Sequence, residues 1–295
     1  MYDIENIIIA KTVPEAIDAL CADENAVIIS GGSDVLIKIR EGKLAGSRLV
    51  SIHDINELKG VSMQADGTIA IGGATSFAHI TASEIVKKHI PALGAAVDQV
   101  GGPQIRNIGT IGGNVCNGVT SADSASTLFT MNAVLHLVGK NGERLVPIAE
   151  FYTGPGRTQR AHDEILTEIL IRKADYEGFG AHYIKYAQRN AMDIATLGCA
   201  VNVRLSADKK TIEDMRLAFG VAGPVPMRCA AAESAMNGKA ITQELVYSIG
   251  DIAAGEVSPR TSWRASKEFR IQLVKELSRR VLRQAIGNAG GAVDA

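Results

Sequence analysis

The sequence GGPQIRNIGTIGGN, residues 101–114, is the stretch that decides the fold. Five of its fourteen residues are glycine, and Arg106 carries its only charge. Glycine tolerates positive φ and leaves backbone N–H groups uncovered, so this stretch suits a backbone that passes close to an anionic group. A buried glycine-rich loop is the alternative, but its polar side chains would then need partners inside a core. We therefore expect a loop against which a dinucleotide cofactor lies.

A second glycine-rich turn lies earlier, in AVIISGGSDVLIKIR, residues 26–40. The β-branched run Val27 to Ile29 predicts a strand ending at Gly31-Gly32, and Ser33-Asp34 predict the cap of a following helix. This order places backbone N–H groups and a helix dipole where a phosphate binds. An ordinary strand-to-helix turn explains the feature taken alone. Two such turns together favour a pyrophosphate clamped between them.

Length and composition narrow the possible classes of protein. The 295 residues favour two domains, and 46% hydrophobic with 21% charged residues is typical of an ordered globular protein. Basic and acidic residues number 31 and 32 without runs of like charge, which argues against nucleic-acid binding. The N-terminus resembles no secretory signal and no apolar run is long enough to span a bilayer, so we expect no membrane segment and a cytoplasmic protein.

Familiar catalytic signatures are absent from the sequence. The Gly-x-Gly matches lack the last glycine of the Rossmann fingerprint, and no Gly-Lys pair has the Ser or Thr of a P-loop. The four cysteines and six histidines show no metal-ligand spacing, so we predict no metal site. No G-x-S-x-G elbow supports hydrolase chemistry. We predict no catalytic side chain in this chain.

Local patterns predict an α+β fold whose first domain spans residues 1–176. Thr12 predicts the N-cap of a helix over 13–22. Further predictions are strands over 48–52, 68–73 and 165–171, two helices within 76–100, a helix capped by Ser121 or Asp123 that runs to Met131, and a hairpin over 133–148 that turns at Asn141-Gly142.

The second predicted domain, residues 177–295, follows a charged, glycine-containing break at 173–180. Three alternating segments predict a three-stranded antiparallel sheet. Helices are predicted over 229–237, 242–254 and 265–286. The last of these is expected to bury one apolar face, made of Phe269, Leu273, Leu277, Val281 and Leu282.

Several motifs resemble one known family. IISGGSDVLI, GPQIRNIGTIGGN and the aspartate of TSADS are similar to the paired FAD-binding segments of the molybdenum hydroxylase flavoproteins. The likeness extends through HDEILTEI and KYAQRNAMDIATLG to RTSWRASKEFR, and so covers nearly the whole chain. It implies a two-part FAD-binding domain of the vanillyl-alcohol-oxidase type, with two α/β subdomains at about 1–55 and 56–176. It also implies a second domain of the carbon monoxide dehydrogenase flavoprotein C-terminal type.

The resemblance also implies roles for individual residues. The first segment would hold the FAD pyrophosphate, and the second would approach the pyrophosphate and ribityl chain. Cys116 stands where the family often has isoleucine against the flavin ring. Asp123 and Lys185 match cofactor contacts, Ile165 lies near the adenine end, and Asp193 and Ile194 lie beside the nicotinamide site. The cofactor-binding residues implied are Val27, Ile28, Ile29, Ser30, Gly31, Gly32, Ser33, Asp34, Val100, Gly109, Thr110, Ile111, Gly112, Gly113, Asn114, Cys116, Asp123, Ile165, Lys185, Asp193 and Ile194.

By the same resemblance the chain would be the FAD subunit of a xanthine dehydrogenase-like enzyme. Electrons would pass from 2Fe-2S clusters through FAD to NAD, with the molybdenum cofactor and the clusters on a large and a small partner subunit, in a dimer of heterotrimers. An aldehyde, carbon monoxide or N-heterocycle hydroxylase, a stand-alone flavin oxidase and a cofactor-free scaffold remain alternatives. Trp263, flanked by arginines, favours a protein contact.

Overall fold

Mixed helices and sheets form two successive units, which confirms the predicted α+β fold class. The computed structural model describes residues 2–293, so Met1, Asp294 and Ala295 of the predicted domains lie outside the described residues. None of the helices in this range combines the length and apolar composition that a bilayer crossing requires.

The strands are β1 (Ile4–Ile9), β2 (Val27–Ile29), β3 (Ser47–Ser51), β4 (Val61–Met63), β5 (Ile69–Gly72), β6 (Val134–Gly139), β7 (Gly142–Pro147), β8 (Tyr152–Gly154), β9 (Arg157–Thr158), β10 (Ile165–Ile171), β11 (Phe179–Tyr186), β12 (Leu197–Leu205), β13 (Ile212–Gly220) and β14 (Met227–Arg228). The helices are α1 (Val13–Ala22), α2 (Val35–Arg40), α3 (Phe77–Ala82), α4 (Glu84–His89), α5 (Pro91–Val97), α6 (Pro103–Ile108), α7 (Ile111–Cys116), α8 (Asp123–Thr130), α9 (Ile148–Phe151), α10 (Ala230–Met236), α11 (Gln243–Glu256) and α12 (Lys267–Asn288). Short 3₁₀ helices span Asn56–Leu58 and Lys173–Asp175.

The first subdomain is a three-stranded parallel sheet in the order β1-β3-β2. Helix α1 begins as predicted, because the Thr12 hydroxyl accepts a hydrogen bond from the Glu15 backbone N–H. Strand β1 has no counterpart among the predicted elements. The strand contains three consecutive isoleucines, Ile7, Ile8 and Ile9, and so shows no alternation of apolar and polar residues along the sequence. All three side chains are exposed.

The second subdomain is a five-stranded antiparallel sheet in the order β4-β5-β10-β6-β7. Strands β6 and β7 form the predicted hairpin, but its two-residue loop is Lys140-Asn141, one residue earlier than the predicted turn at Asn141-Gly142. Gly142 begins β7 at a φ of 115°, which glycine adopts without strain. The main core lies between this sheet and helices α3, α5 and α8.

Two predictions of local structure in this subdomain are wrong. Residues 101–114 are not a loop: Pro103 begins α6, and the Thr110 hydroxyl caps α7 by accepting from the Gly113 N–H. Residues 76–100 hold three helices rather than two, because Ser83 caps a separate α4 between α3 and the predicted α5. Local capping thus overrides the low helix propensity of the glycines.

The second unit is an antiparallel sheet in the order β11-β12-β13-β14, which α10, α11 and α12 cover. The three predicted strands are present, and the two-residue β14 adds a fourth. The buried face of α12 differs from the prediction. Phe269 is 42% exposed, whereas Arg270 is 2% exposed, because the guanidinium finds carbonyl acceptors in neighbouring loops.

Candidate functional site

A cavity of about 650 Å³ lies between the two subdomains of the first unit. One wall comes from β2, the turn after it and the start of α2, and the other comes from α6, α7 and the segment around residues 160–166. Its volume falls in the range of small-molecule and cofactor sites, which is about 300–1,000 Å³. The two glycine-rich segments therefore face one space.

The structure brings most of the predicted site residues together at this cavity. The lining residues among them are Val27, Ile28, Ser30, Gly31, Gly32, Ser33, Asp34, Val100, Thr110, Gly112, Gly113, Asn114, Cys116 and Ile165. The predicted residues outside the lining are Ile29, Gly109, Ile111, Asp123, Lys185, Asp193 and Ile194.

The two glycine-rich segments touch each other. A Cβ atom on Gly31 would lie 2.0 Å from the Ile108 carbonyl oxygen and 2.9 Å from the Gly109 Cα, which leaves no room for a side chain. Gly32, by contrast, has a φ of 73°, a conformation that favours glycine. Gly31 is therefore needed for the close approach of the two segments, and Gly32 for the turn.

The turn after β2 offers unused hydrogen-bonding groups to the cavity. The Ser30 hydroxyl oxygen is buried and has no hydrogen-bond partner among the described residues. Asp34 occupies the N-cap position of α2, within the predicted Ser33-Asp34 pair, but its side chain makes no capping hydrogen bond. An unsatisfied buried hydroxyl and an uncapped helix start suit a phosphate-bearing ligand, so the residues present fit the pyrophosphate of FAD.

Helix α7 packs against the strand region of the second subdomain through glycine. The Gly112 N–H donates to the Gly73 carbonyl oxygen at 2.9 Å, and a Cβ on Gly112 would lie 2.4 Å from the same oxygen. Asn114 accepts a 2.7 Å hydrogen bond from the Ser124 hydroxyl at its Oδ1. The backbone of this wall is thus held rigidly before any ligand binds.

Cys116, the last residue of α7, lines the cavity. Burial raises the pKa of its thiol to about 11, and the charge of nearby Arg160 acts in the opposite direction. The thiol is therefore protonated at neutral pH and presents a small apolar surface. The buried Tyr152 hydroxyl, which interacts electrostatically with Cys116, has no hydrogen-bond partner among residues 2–293.

Asp123 and Lys185 form a buried ion pair that joins the two units. The Lys185 ammonium donates to Asp123 Oδ2 at 2.8 Å and to the Gln99 carbonyl oxygen at 2.9 Å, and the Tyr183 hydroxyl donates to Asp123 Oδ1 at 3.0 Å. Neither Ser121 nor Asp123 caps α8, since Ala122 holds the N-cap position. Burial raises the pKa of Asp123, while Lys185 and Tyr183 act to lower it.

Asp193 and Ile194 lie in the loop between β11 and β12. The Asp193 carboxylate accepts from the Arg189 backbone N–H at 2.9 Å, so it holds the turn of this loop. Met192 adopts a φ of 54°, and its sulfur would lie 3.5 Å from a Cβ on Gly102. The loop from the second unit thus reaches the start of the opening glycine stretch.

Six polar residues line the cavity without having been predicted, namely Glu24, Asn25, Lys38, Asn117, Arg160 and His162. Lys38 donates to the Asn117 Oδ1 at 2.8 Å, across the two subdomains. Arg160 donates to nearby carbonyl oxygens, and His162 Nε2 lies 3.1 Å from the Leu20 carbonyl oxygen at the end of α1. No local sequence pattern distinguishes these residues, because a motif does not indicate which way a side chain points.

No metal site is formed by the side chains of this protein in the part of the chain that the structure describes. Across residues 2–293, no group of three or more His, Cys, Asp or Glu side chains is arranged to hold an ion. The polar groups at the cavity are hydroxyl, amide, cationic and backbone groups in the main, a set that suits an anionic organic ligand better than a cation.

Two family profiles match the chain. The one described as "FAD binding domain in molybdopterin dehydrogenase" matches residues 2–173, and the "CO dehydrogenase flavoprotein C-terminal domain" matches residues 182–285. Between them they cover the two units seen in the structure.

Relatives of similar length support the same grouping. The chain is 41% identical to a xanthine dehydrogenase FAD-binding subunit of Escherichia coli O157:H7, over 99% of each chain. It is 29% identical to a glyceraldehyde dehydrogenase medium chain of Sulfolobus acidocaldarius, over 93% of this chain and 96% of the relative. A structure of carbon monoxide dehydrogenase from Hydrogenophaga pseudoflava superimposes with a TM-score of 0.92 and 29% identity, over 98% and 99% of the two chains.

Proposed function

Because this chain belongs to the family of FAD-binding subunits of the molybdenum hydroxylases, we propose that it carries the FAD of a xanthine dehydrogenase and passes electrons from a partner's iron–sulfur clusters to NAD. The observation that carries the proposal is the cavity into which both glycine-rich segments face. Ser30 belongs to its wall, and the Ser30 hydroxyl has no partner in the part of the chain that the structure describes.

The residues of this chain would bind and orient the cofactor, and the bound flavin would supply the redox chemistry. The turn from Ser30 to Asp34 would hold the pyrophosphate, with Lys38 adding positive charge to the same wall. Thr110 to Asn114 would contact the ribityl region, and Cys116 would pack against the ring. Asp123, Lys185, Asp193 and Ile194 would act from outside the cavity wall, the first two by holding the second unit in place.

The proposed partners are a large subunit with the molybdenum cofactor and a small subunit with 2Fe-2S clusters. The medium-chain and FAD-subunit descriptions of the relatives support this assembly. Xanthine is the proposed substrate of the complex because the xanthine dehydrogenase relative is the more similar one, at 41% against 29% identity. Glyceraldehyde and carbon monoxide enzymes among the relatives keep aldehydes and carbon monoxide as alternative substrates, and an N-heterocycle stays the third alternative. The cytoplasmic location and the dimer of heterotrimers stay predictions from the sequence.

The first test is the flavin content of the purified chain. We expect the visible absorption bands of an oxidised flavin and the release of about one FAD per chain on denaturation, since a single cavity holds both segments. A chain that is folded, binds no added FAD and releases none would be the cofactor-free scaffold instead. Reduction of the complex by xanthine, glyceraldehyde or carbon monoxide, each followed by NAD, separates the three substrates and tests the acceptor.

Ser30→Ala tests the cavity wall itself. Its hydroxyl has no hydrogen-bond partner within residues 2–293, so the variant should keep the melting temperature of the FAD-free chain. Its FAD dissociation constant should rise roughly fivefold, because one net hydrogen bond contributes about 1 kcal/mol. Ser62→Ala, on the exposed strand β4, is the matched control and should leave FAD binding unchanged. Equal affinities for the Ser30 variant and the natural chain would remove Ser30 from the site.

A further inference from the structure

A second cavity, of about 430 Å³, lies where the two units meet, and we call it the interunit cavity. Its walls come from the end of α4 and the start of α5 in the first unit, and from β11, β12 and the end of α12 in the second. Its volume also falls in the range of small-molecule sites. Among the described residues, it shares no lining residue with the proposed FAD cavity, so the proposed function leaves it unused.

The Asn202 side chain places a buried amide in the wall of the interunit cavity. Asn202 is 2% exposed and lies on the interior strand β12, where it pairs with Ala181 and Arg216 on the neighbouring strands. Its side-chain contact within residues 2–293 joins Oδ1 to the Thr130 hydroxyl at 3.4 Å. That hydroxyl has a single hydrogen, which the Thr127 carbonyl oxygen accepts at the shorter distance of 2.9 Å. The Asn202 amide N–H groups are thus left without a protein acceptor in the described part of the chain.

A purely structural role does not explain this amide. Tyr176 and Asn288, two other polar residues of the wall, each donate to a backbone carbonyl oxygen, at 2.6 and 2.8 Å. Asn202 lies between the buried Val201 and Val203, so its strand accepts β-branched side chains. A buried amide with an unmade hydrogen bond lowers the stability of the chain. Such a group suits a ligand that supplies the missing acceptor.

The charged lining of the interunit cavity is basic. Lys88 lines the cavity and forms no ion pair within the range that the structure describes, whereas its neighbour Lys87 pairs with Glu84 at 2.8 Å. His89 adds an imidazole to the same wall, and its ring packs edge-on against the Tyr176 ring with centroids 5.6 Å apart. The described lining residues include neither Asp nor Glu. A cation and spare N–H donors without a carboxylate favour an anionic ligand.

The remaining wall of the interunit cavity is mainly apolar. Ile90, Pro91, Met131 and the ring of Phe179 line it. Two guanidinium groups lie 4.7 and 4.9 Å from the centroid of the Phe179 ring and hold that ring in place. A ligand that fits this cavity therefore combines a negative charge at one end with a compact apolar body.

We propose that the interunit cavity binds a small organic carboxylate with an apolar body. The carboxylate accepts from the Asn202 amide and is attracted by Lys88, and the apolar body packs against Phe179 and Met131. Because the walls belong to both units, the ligand holds the second unit against the first and stabilises the folded chain. This site is separate from the proposed FAD site and does not depend on it.

Binding of 4-fluorobenzoate to the full chain tests the proposal, with the fluorine NMR signal of the probe as the readout. The neutral probe 4-fluorobenzamide has nearly the same shape and should bind about tenfold more weakly, because it lacks the charge. Saturating FAD should leave the affinity for 4-fluorobenzoate unchanged, since the two cavities are lined by different residues. No binding of 4-fluorobenzoate, equal binding of the two probes, or displacement of 4-fluorobenzoate by FAD would overturn the proposal.

Two variants assign the binding to this cavity. Asn202→Val should weaken 4-fluorobenzoate binding about tenfold and leave the urea midpoint of the ligand-free chain unchanged or higher, because it removes an unpaired buried amide. Lys88→Gln should weaken binding about fivefold.

Lys87→Gln is the matched control, since Lys87 is the adjacent residue of α4 and already pairs with Glu84. It should leave the affinity for 4-fluorobenzoate unchanged. Full affinity in both Asn202→Val and Lys88→Gln, or equal weakening by Lys87→Gln, would overturn the proposal. A lower urea midpoint with full affinity in Asn202→Val would show that the amide serves the fold alone.

Discussion

Cys116 is a cavity-lining thiol whose pKa is raised to about 11 by burial. At pH 8 only about one thousandth of it is thiolate, and the thiolate is the species that reacts with alkylating reagents. We therefore expect iodoacetamide at pH 8 to modify the exposed Cys21 rapidly and Cys116 very slowly, as measured by peptide mass spectrometry. The Cys116 rate should rise as the pH approaches 11, because a raised thiol pKa moves ionisation to higher pH.

The buried Cys199 provides the internal control for this experiment. Burial raises its pKa as well, and it lies in the core of the second unit instead of at the cavity. Added FAD should slow the modification of Cys116 at high pH and leave Cys199 unaffected. Rapid modification of Cys116 at pH 8 would contradict the raised pKa of this thiol.

At the scale of elements, the contact between the two glycine-rich segments depends on the missing side chain of Gly31. In Gly31→Ala the new methyl group would lie 2.0 Å from the Ile108 carbonyl oxygen, so α6 and the turn after β2 must separate. Overpacking of this kind costs about 1–3 kcal/mol. We expect the free energy of unfolding to fall by about that amount and FAD retention after gel filtration to fall at least tenfold.

Gly255→Ala is the matched control for that substitution. Gly255 lies near the end of α11, where a Cβ would meet nothing within 4 Å. Alanine there should leave FAD retention unchanged and stabilise the helix by up to about 1 kcal/mol. If Gly31→Ala behaved like Gly255→Ala in both measurements, the close approach of the segments would have no bearing on cofactor binding.

At the scale of the whole molecule, the ion pair between Asp123 and Lys185 couples the two units. Both side chains are less than a tenth exposed, and they belong to α8 and β11. Asp123→Asn removes the carboxylate charge and leaves the Lys185 ammonium buried with neutral acceptors alone, such as the Gln99 carbonyl oxygen. Breaking a buried pair costs about 3 kcal/mol, so urea denaturation of the FAD-free protein should show a loss of that size.

The double variant Asp123→Asn with Lys185→Met provides the control, because it leaves no unpaired buried charge. It should recover much of the stability that Asp123→Asn loses. Arg280→Ala, which breaks an exposed pair with Glu276, should cost less than about 0.5 kcal/mol. A single variant as stable as the natural chain would show that the pair does not couple the units.

The sequence by itself determined the elements whose signals are local. Thr12 predicts the start of α1, because an N-cap needs only the residues of the first turn. The alternation around Asn141-Gly142 predicts the β6–β7 hairpin, because the paired strands are adjacent along the chain. The FAD-binding motifs can equally be recognised from the sequence, since each is one continuous segment. The α+β class followed from the order of these elements.

Only the tertiary structure decided which of these segments meet. The Gly31 to Ile108 contact, the exposed strand β1 and the burial of Arg270 depend on neighbours far along the chain. The sequence around Asp123 indicates a helix cap, whereas the structure pairs Asp123 with Lys185, which lies 62 residues further along the chain. Hydrogen bonding and packing of this kind are set by the distance between side chains in space, and periodicity and capping in the sequence carry no information about that distance.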